Sequence, residues 1–276
     1  MRDVIKAFFN RPTGWIGITL LALVCLMAVL APVVYPTSPW EMTGPPFARP
    51  GDAGMVLGAD TLGRDIASGV MHGARVSLLI GIASTLAALL IGVTLGCIAG
   101  YFGGWVDTVI VRFTEIFQTI PNFVLAILLV AILTPSIATI ILAIGIVSWP
   151  PLARLTRAQV MTVSTREFVQ AARCQGQSTA SIVLRHVLPN AISPIIVAGS
   201  LTVATAILIE AALSFLGLGD PNFMSWGFMI GSGRTVIRQA WWMSVFPGLA
   251  ILLTVIAINL VGEALNDALN PRISRA

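Results

Sequence analysis

Residues 76–100 read VSLLIGIASTLAALLIGVTLGCIAG, 25 consecutive residues without a charge. An α-helix rises about 1.5 Å per residue, so about 20 apolar residues cross a hydrocarbon layer about 30 Å thick. The stretch therefore predicts a membrane-spanning helix. Gly92, Gly96 and Gly100 recur within it every four residues, a spacing that lets a second helix approach closely in lipid. Two readings stand for that glycine face, packing within this chain or packing against another subunit.

The rest of the chain fits the same solvent. Its 276 residues are 57% hydrophobic and 10% charged, against about 25% charged in an ordinary soluble domain. Five more stretches are long and apolar enough to span: 15–35, 106–133, 136–153, 192–216 and 244–265. The expected fold is all-α, a polytopic membrane protein with six transmembrane helices. Residues 1–35 form the cytoplasmic N-terminus and first span, 36–75 an outer segment, and 76–276 a core of five spans. A signal-peptide reading of 15–35 is set aside, because the run is too long for an h-region and five spans follow it.

Charge fixes the expected orientation. With the N-terminus inside, Arg2, Lys6, Arg11, Arg154, Arg157, Arg166, Arg173, Arg185, Arg272 and Arg275 face the cytoplasm against Asp3, Glu167, Glu263 and Asp267. The outer segments balance Arg49, Arg64, Arg75, Arg234 and Arg238 with Glu41, Asp52, Asp60, Asp65 and Asp220. The positive-inside rule then places both termini in the cytoplasm. Topology accounts for the basic pI, and no nucleic-acid partner is implied. Cys25, Cys97 and Cys174 fall in two spans and a cytoplasmic loop, so all three are expected free.

Polar residues at membrane depth mark candidate sites. Thr108, Arg112, Glu115, Thr119 and Asn122 form one stripe on the third span, and Arg112 and Glu115 can pair at i,i+3. Pro121 is expected to kink that span. Glu210 lies near the outer end of the fifth. For both the stripe and Glu210, a lining of the translocation pathway and a structural, hydrogen-bonded role stay open. Trp241 and Trp242 are read as interface anchors.

Between the fourth and fifth spans lies a polar insertion at about 154–191, centred on EFVQAARCQGQSTASIVLRHVLPN at 167–190. Gly176 suits the left-handed residue that closes a helix. Ser178 can cap a second short helix, which Pro189 is expected to end. Taken alone, the segment reads equally as an interfacial amphipathic loop or as a surface shaped to be gripped, with Phe168 offering apolar contact and Ala171 and Ala172 close approach.

Gln170, Ala171, Ala172, Gly176, Leu188 and Pro189 resemble the EAA loop of binding-protein-dependent ABC transporter permeases, with Gln170 in place of the usual glutamate and His186 in place of isoleucine. LGADTLGRD at 57–65, AGYFGG at 99–104 followed by Asp107, LSFLGLG at 213–219, Trp226-Gly227, Phe246-Pro247-Gly248 and DALNP at 267–271 are similar to the peptide and nickel branch of that family, in the order of its C-type subunits. The resemblance implies a type I importer permease of a bacterial inner membrane, with the outer segment 36–75 in the periplasm. It implies a coupling loop made by Glu167, Phe168, Gln170, Ala171, Ala172, Gly176, His186, Leu188 and Pro189. It further implies a paired homologous permease, two cytoplasmic ATPase subunits that hold ATP and magnesium, and a periplasmic or lipid-anchored substrate-binding protein. Arg112, Glu115, Asn122 and Glu210 are the pathway candidates. Peptides are the expected cargo, with nickel, opines or glutathione-like molecules as alternatives.

Two other classes are weighed on the residues alone. The sole lysine is Lys6, with no GxxxxGK[ST] around it, so the chain carries no P-loop and no nucleotide cofactor of its own is expected. An intramembrane enzyme lacks GxSxG and HExxH motifs, and its two histidines, His72 and His186, fall on opposite sides. A stand-alone secondary transporter would commonly show an inverted repeat, and none is evident.

Overall fold

Apolar runs and glycine faces dictate an architecture of helices lying along one another. In the computed structural model, which describes residues 8–269, ten helices follow in chain order. They are α1 (Pro12–Val34), α2 (Ile66–Phe102), α3 (Gly104–Thr119), α4 (Asn122–Leu133), α5 (Ile137–Ser164), α6 (Glu167–Cys174), α7 (Thr179–Ile182), α8 (Leu188–Phe215), α9 (Trp226–Gly233) and α10 (Trp242–Leu269). Among the described residues β structure is limited to two isolated bridges, Met42 with Arg64 and Ala59 with Asp65. Five helical stretches are long and apolar enough to cross a membrane, and the bent pair α3 and α4 makes a sixth if counted as one span. The charges at positions 2, 3, 6, 272 and 275, and the end of the DALNP motif, lie outside the described residues.

Hydropathy places the spans but not their ends. α2 begins at Ile66, ten residues before its charge-free run, because the Asp65 carboxylate accepts the Ala67 N–H at 2.8 Å and caps a new helix there. At 37 residues it is about 55 Å long and overshoots the hydrocarbon. α5 likewise continues past Arg154 and Arg157 to Ser164. Arginine ends an apolar run without ending a helix.

The third span differs more. A single kinked helix over 106–133 is replaced by two helices meeting at 82°. Pro121 has no N–H, and its ring disfavours the helical region for the residue before it. Ile120 accordingly has φ −98° and ψ 130°, and Pro121 keeps ψ 129°. Two extended residues turn a kink into a corner. The stripe therefore ends at Thr119, and Asn122 opens a helix that points elsewhere.

The glycines of α2 serve packing within the chain. A methyl group on Gly92 would lie 2.8 Å from Leu152 Cβ and 2.9 Å from the Trp149 carbonyl oxygen. On Gly96 it would lie 2.5 Å from the Ala153 oxygen and 2.6 Å from Thr156 Cβ, and on Gly100 2.6 Å from the Arg157 oxygen. Residue numbers rise together along both partners, so α2 and α5 run parallel, backbone against backbone. α8 returns antiparallel, with Gly81 against Ile207 and Gly199 against Leu89. α1 lies antiparallel on α10, where Arg11 reaches Asp267 at 2.6 Å.

At the end of the bundle where α2 begins, residues 35–65 fold into a compact loop. The Asp60 carboxylate accepts the N–H groups of Leu62 at 2.8 Å and Arg64 at 2.9 Å. Arg64 stacks 4.8 Å over the Trp40 ring. Trp242 departs from the anchor role expected of it: it is buried, and its indole N–H donates to the Ala59 carbonyl at 3.0 Å. Trp241 alone stays exposed. Trp242→Phe keeps an aromatic side chain, though a smaller one, and leaves that carbonyl short of a donor, a loss of about 1–2 kcal/mol from the missing hydrogen bond. The expected result is faster amide exchange across residues 48–66 with little change in the spans, measurable by hydrogen exchange in detergent.

Candidate functional site

The polar insertion builds a helical hairpin at the end of the bundle where α2 and α5 finish. Arg166 is extended and starts α6. Glu167 in its first turn and Arg173 in its last both complement the helix dipole. The closure is a Schellman motif: Gly176 N–H donates to the Arg173 carbonyl at 3.0 Å and Gln177 N–H to the Ala172 carbonyl at 3.3 Å. Gly176 sits at φ +73°, the left-handed position expected of it. Nothing lies within 4 Å of where its Cβ would be, so backbone conformation alone reserves this position for glycine.

Ser178 accepts the Ser181 N–H at 3.4 Å and caps α7. Pro189, however, does not end the second helix. The backbone widens into a π turn over Val183–Val187 and then continues as α8, so helix runs from Thr179 to Phe215. A proline ring clashes with the carbonyl four residues before it, and a wider turn relieves that clash without breaking the rod.

Alternate residues divide between packing and display. Val169, Ala172, Ile182, Val187 and Ala191 are buried together with Cys97, Val160 and Val163, so the hairpin is seated on the ends of α2 and α5. The Arg173 guanidinium lies 5.1 Å over the Tyr101 ring. Glu167, Phe168, Gln170, Ala171, Gly176 and Pro189 face outward, while Leu188 and His186 are half-buried. Ala171 and Ala172 thus part company, one displayed and one packed. His186 Nε2–H donates to the Gln177 amide oxygen at 2.9 Å, and Asn190 donates to the His186 carbonyl at 2.7 Å. The histidine at the variant position closes the loop between the two helices.

The membrane-depth candidates are not gathered into one site. Arg112 and Glu115 pair at 2.9 Å on an exposed face of α3. Asn122 is exposed beyond the corner. Glu210 is 1% exposed, and one carboxylate oxygen accepts hydroxyls from Ser214 at 2.8 Å and Ser225 at 2.6 Å. A pair unforeseen from the sequence lies near the hairpin: both carboxylate oxygens of Asp107 accept from the Arg157 guanidinium and join the start of α3 to α5. The partners are 50 residues apart, and no periodic pattern links positions so distant. Cys25, Cys97 and Cys174 are free, with Cys174 exposed on the hairpin.

An exposed helical hairpin rigidly seated on two spans and continuous with a third can exchange mechanical force with whatever grips it. Comparison with known proteins bears on what that is. Residues 92–275 match the family described as the binding-protein-dependent transport system inner membrane component, and residues 1–48 match the N-terminal membrane domain of oligopeptide transport permease C. The chain is 43% identical to the di/tripeptide transport system permease protein DppC of Pseudomonas aeruginosa, over 100% of this chain and 93% of that one. It is 41% identical to the glutathione transport system permease protein GsiD of Pectobacterium atrosepticum, over 79% of this chain and 72% of that one. Its fold is similar to that of an inward-facing MetNI methionine ABC transporter chain, with TM-score 0.59 and 19% identity over 75% of this chain and 95% of the other.

Proposed function

This chain belongs to the inner membrane components of binding-protein-dependent transport systems, and from that premise we propose that it is one of two permeases in an ATP-driven importer of di- or oligopeptides. The observation that carries the reading is the seated hairpin at 167–190, combined with a chain that has no P-loop lysine. Two partner ATPases bind ATP and magnesium, and one of them grips the displayed face of the hairpin. Glu167, Phe168, Gln170, Ala171, Gly176 and Pro189 form that face, while Ala172, His186 and Leu188 hold its shape. A homologous permease pairs with this one around the pathway, and a substrate-binding protein delivers cargo to the outer surface formed by segments 36–75 and 217–242. Closure of the ATPases moves the hairpin, and the helices continuous with it rock the spans between inward and outward openings. Arg112, Glu115 and Asn122 offer polar groups to the pathway, and Glu210 holds the helices behind its outer wall.

Peptide cargo is supported by the DppC relative. Similarity to GsiD favours a glutathione-like cargo as the second reading. Uptake by proteoliposomes containing the whole complex distinguishes them: labelled dipeptide should enter with ATP and be displaced by unlabelled di- and tripeptides. Transport of glutathione with no competition by dipeptides overturns the peptide reading.

In this arrangement both termini and the hairpin face the cytoplasm. Cys174 provides a built-in reporter, because it is exposed on the hairpin, whereas Cys97 is buried and Cys25, though exposed, lies midway along the span α1, where a membrane-impermeant reagent does not reach. A membrane-impermeant maleimide should leave intact cells unlabelled and modify inverted vesicles, and Cys174→Ser should abolish that signal. Labelling of Cys174 from outside the cell reverses the proposed topology.

A further inference from the structure

Glu210 lies at the far end of the rod that begins in the hairpin. Helix runs from Thr179 to Phe215, 37 residues or about 55 Å, so α8 reaches from the hairpin to the opposite end of the bundle. There the short helix α9 lies against it with no room between them. A methyl group on Gly227 would stand 2.5 Å from Ala211 Cα and 2.9 Å from Ser214 Cβ.

Glu210 stands at the centre of this contact. Its Oε1 accepts the Ser214 hydroxyl from one turn along α8 and the Ser225 hydroxyl from the start of α9. Ser225 Oγ in turn accepts the Phe228 N–H at 3.1 Å, so the hydroxyl that caps α9 is the one that donates to the carboxylate. Ser77 of α2 also faces the carboxyl, although Oε2 makes no hydrogen bond of ordinary geometry. The next residue, Trp226, is fully buried and donates its backbone N–H to Ser77 Oγ at 3.2 Å and its indole N–H to the Val70 carbonyl at 2.9 Å. The other end of α9 is fastened too, where Arg234 donates to the Phe215 carbonyl at 2.8 Å.

We propose that Glu210 is a positioning residue that fixes α9 and α2 to the far end of α8, so that displacement of the hairpin is delivered to the opposite opening of the pathway. This rests on the reading of the hairpin as the point where force enters. The joint acts through acceptance of the two hydroxyls, and an uncharged acceptor of the same shape preserves it. Glu210→Ala removes the acceptor and frees α9 from the rod. Glu210→Gln keeps one oxygen for Ser214 and Ser225 and turns its NH2 toward Ser77 Oγ.

The test uses the complete transporter in proteoliposomes, with ATPases and binding protein. Glu210→Ala is expected to assemble, to retain ATP hydrolysis within about twofold, and to lose about tenfold or more in uptake, so that substrate carried per ATP falls. Glu210→Gln should restore that ratio to within about threefold of the parent. In a background with Cys25, Cys97 and Cys174 replaced by serine, spin labels at Leu208→Cys and Ser232→Cys should hold one narrow distance with and without ATP. Glu210→Ala should broaden it.

If Glu210→Ala fails to accumulate, Ser225→Ala carries the same comparison, because it removes one of the two hydroxyls and the α9 cap while leaving the carboxyl in place. Unchanged uptake per ATP and an unchanged label distance overturn the proposal. So does a Glu210→Gln variant as impaired as Glu210→Ala, which would make charge and not acceptance the operative property. Failure of the hairpin reading looks different: a distorted hairpin then leaves uptake intact, while Glu210→Ala still broadens the distance.

Discussion

Gly96→Leu is expected to lower the stability of the detergent-solubilised chain by about 3 kcal/mol, at the upper end of overpacking effects. The first atom added at this position already lies 2.5 Å from the Ala153 carbonyl oxygen and 2.6 Å from Thr156 Cβ. Neither neighbour is the far end of a flexible side chain. Relief requires α2 and α5 to separate along their shared length, which forfeits the dispersion contacts of Gly92 and Gly100 as well. For a chain of this size the apparent melting midpoint should fall by roughly 6–12 °C. Gly96→Ala should move in the same direction by less. Gly248→Ala supplies the control, because a methyl group there meets nothing within 4 Å. Equal midpoints for the Gly96 and Gly248 variants would show that the close approach of α2 and α5 contributes little.

Gly176→Val is expected to leave the spans folded and reduce uptake by about tenfold or more, equivalent to about 1.4 kcal/mol or more of lost coupling. The position is open to solvent, so the added side chain meets no obstacle within the chain. The penalty comes from the backbone. At φ +73° a β-branched residue is strongly disfavoured, by roughly 1–2 kcal/mol. The hairpin escapes that strain by abandoning the two Schellman hydrogen bonds to Arg173 and Ala172, which swings the displayed face of α6 away from α7. Gly176→Asn should recover most of the uptake, since asparagine tolerates the left-handed region. Copurification of the ATPase subunits measures docking separately. Unchanged docking together with unchanged transport in the valine variant would remove the hairpin from the coupling route.

What the sequence discloses of this fold depends on how local the determinant is. The run at 76–100 and the glycine at 176 declare themselves, because hydrocarbon thickness and left-handed backbone are constraints met within a few residues. The corner at Ile120 and Pro121 is half legible: proline predicts a disturbance, but only the extended backbone of both residues turns it through 82°. Pro189 is legible as a strain and not as its outcome, since stopping a helix and widening one turn both relieve the same clash. Asp107 with Arg157, and Trp242 with Ala59, are invisible in advance because each joins residues far apart in the chain through the packing of other helices. Glu210 falls between these cases. An acid in an apolar run must find partners, yet the sequence does not say that one of them is the capping serine of a helix 15 residues on.

The glycine channel along α2 has a bearing on how the chain is made. α2 leaves the ribosome well before α5, with α3 and α4 emerging in between. During that interval its glycine face lacks the helix it packs against in the finished chain, and lipid can occupy it. Completing the bundle is therefore an exchange in which α5 evicts lipid from a trough already shaped to receive it. A residue that fills the trough would let every helix enter the membrane and still arrest the nascent chain at that exchange.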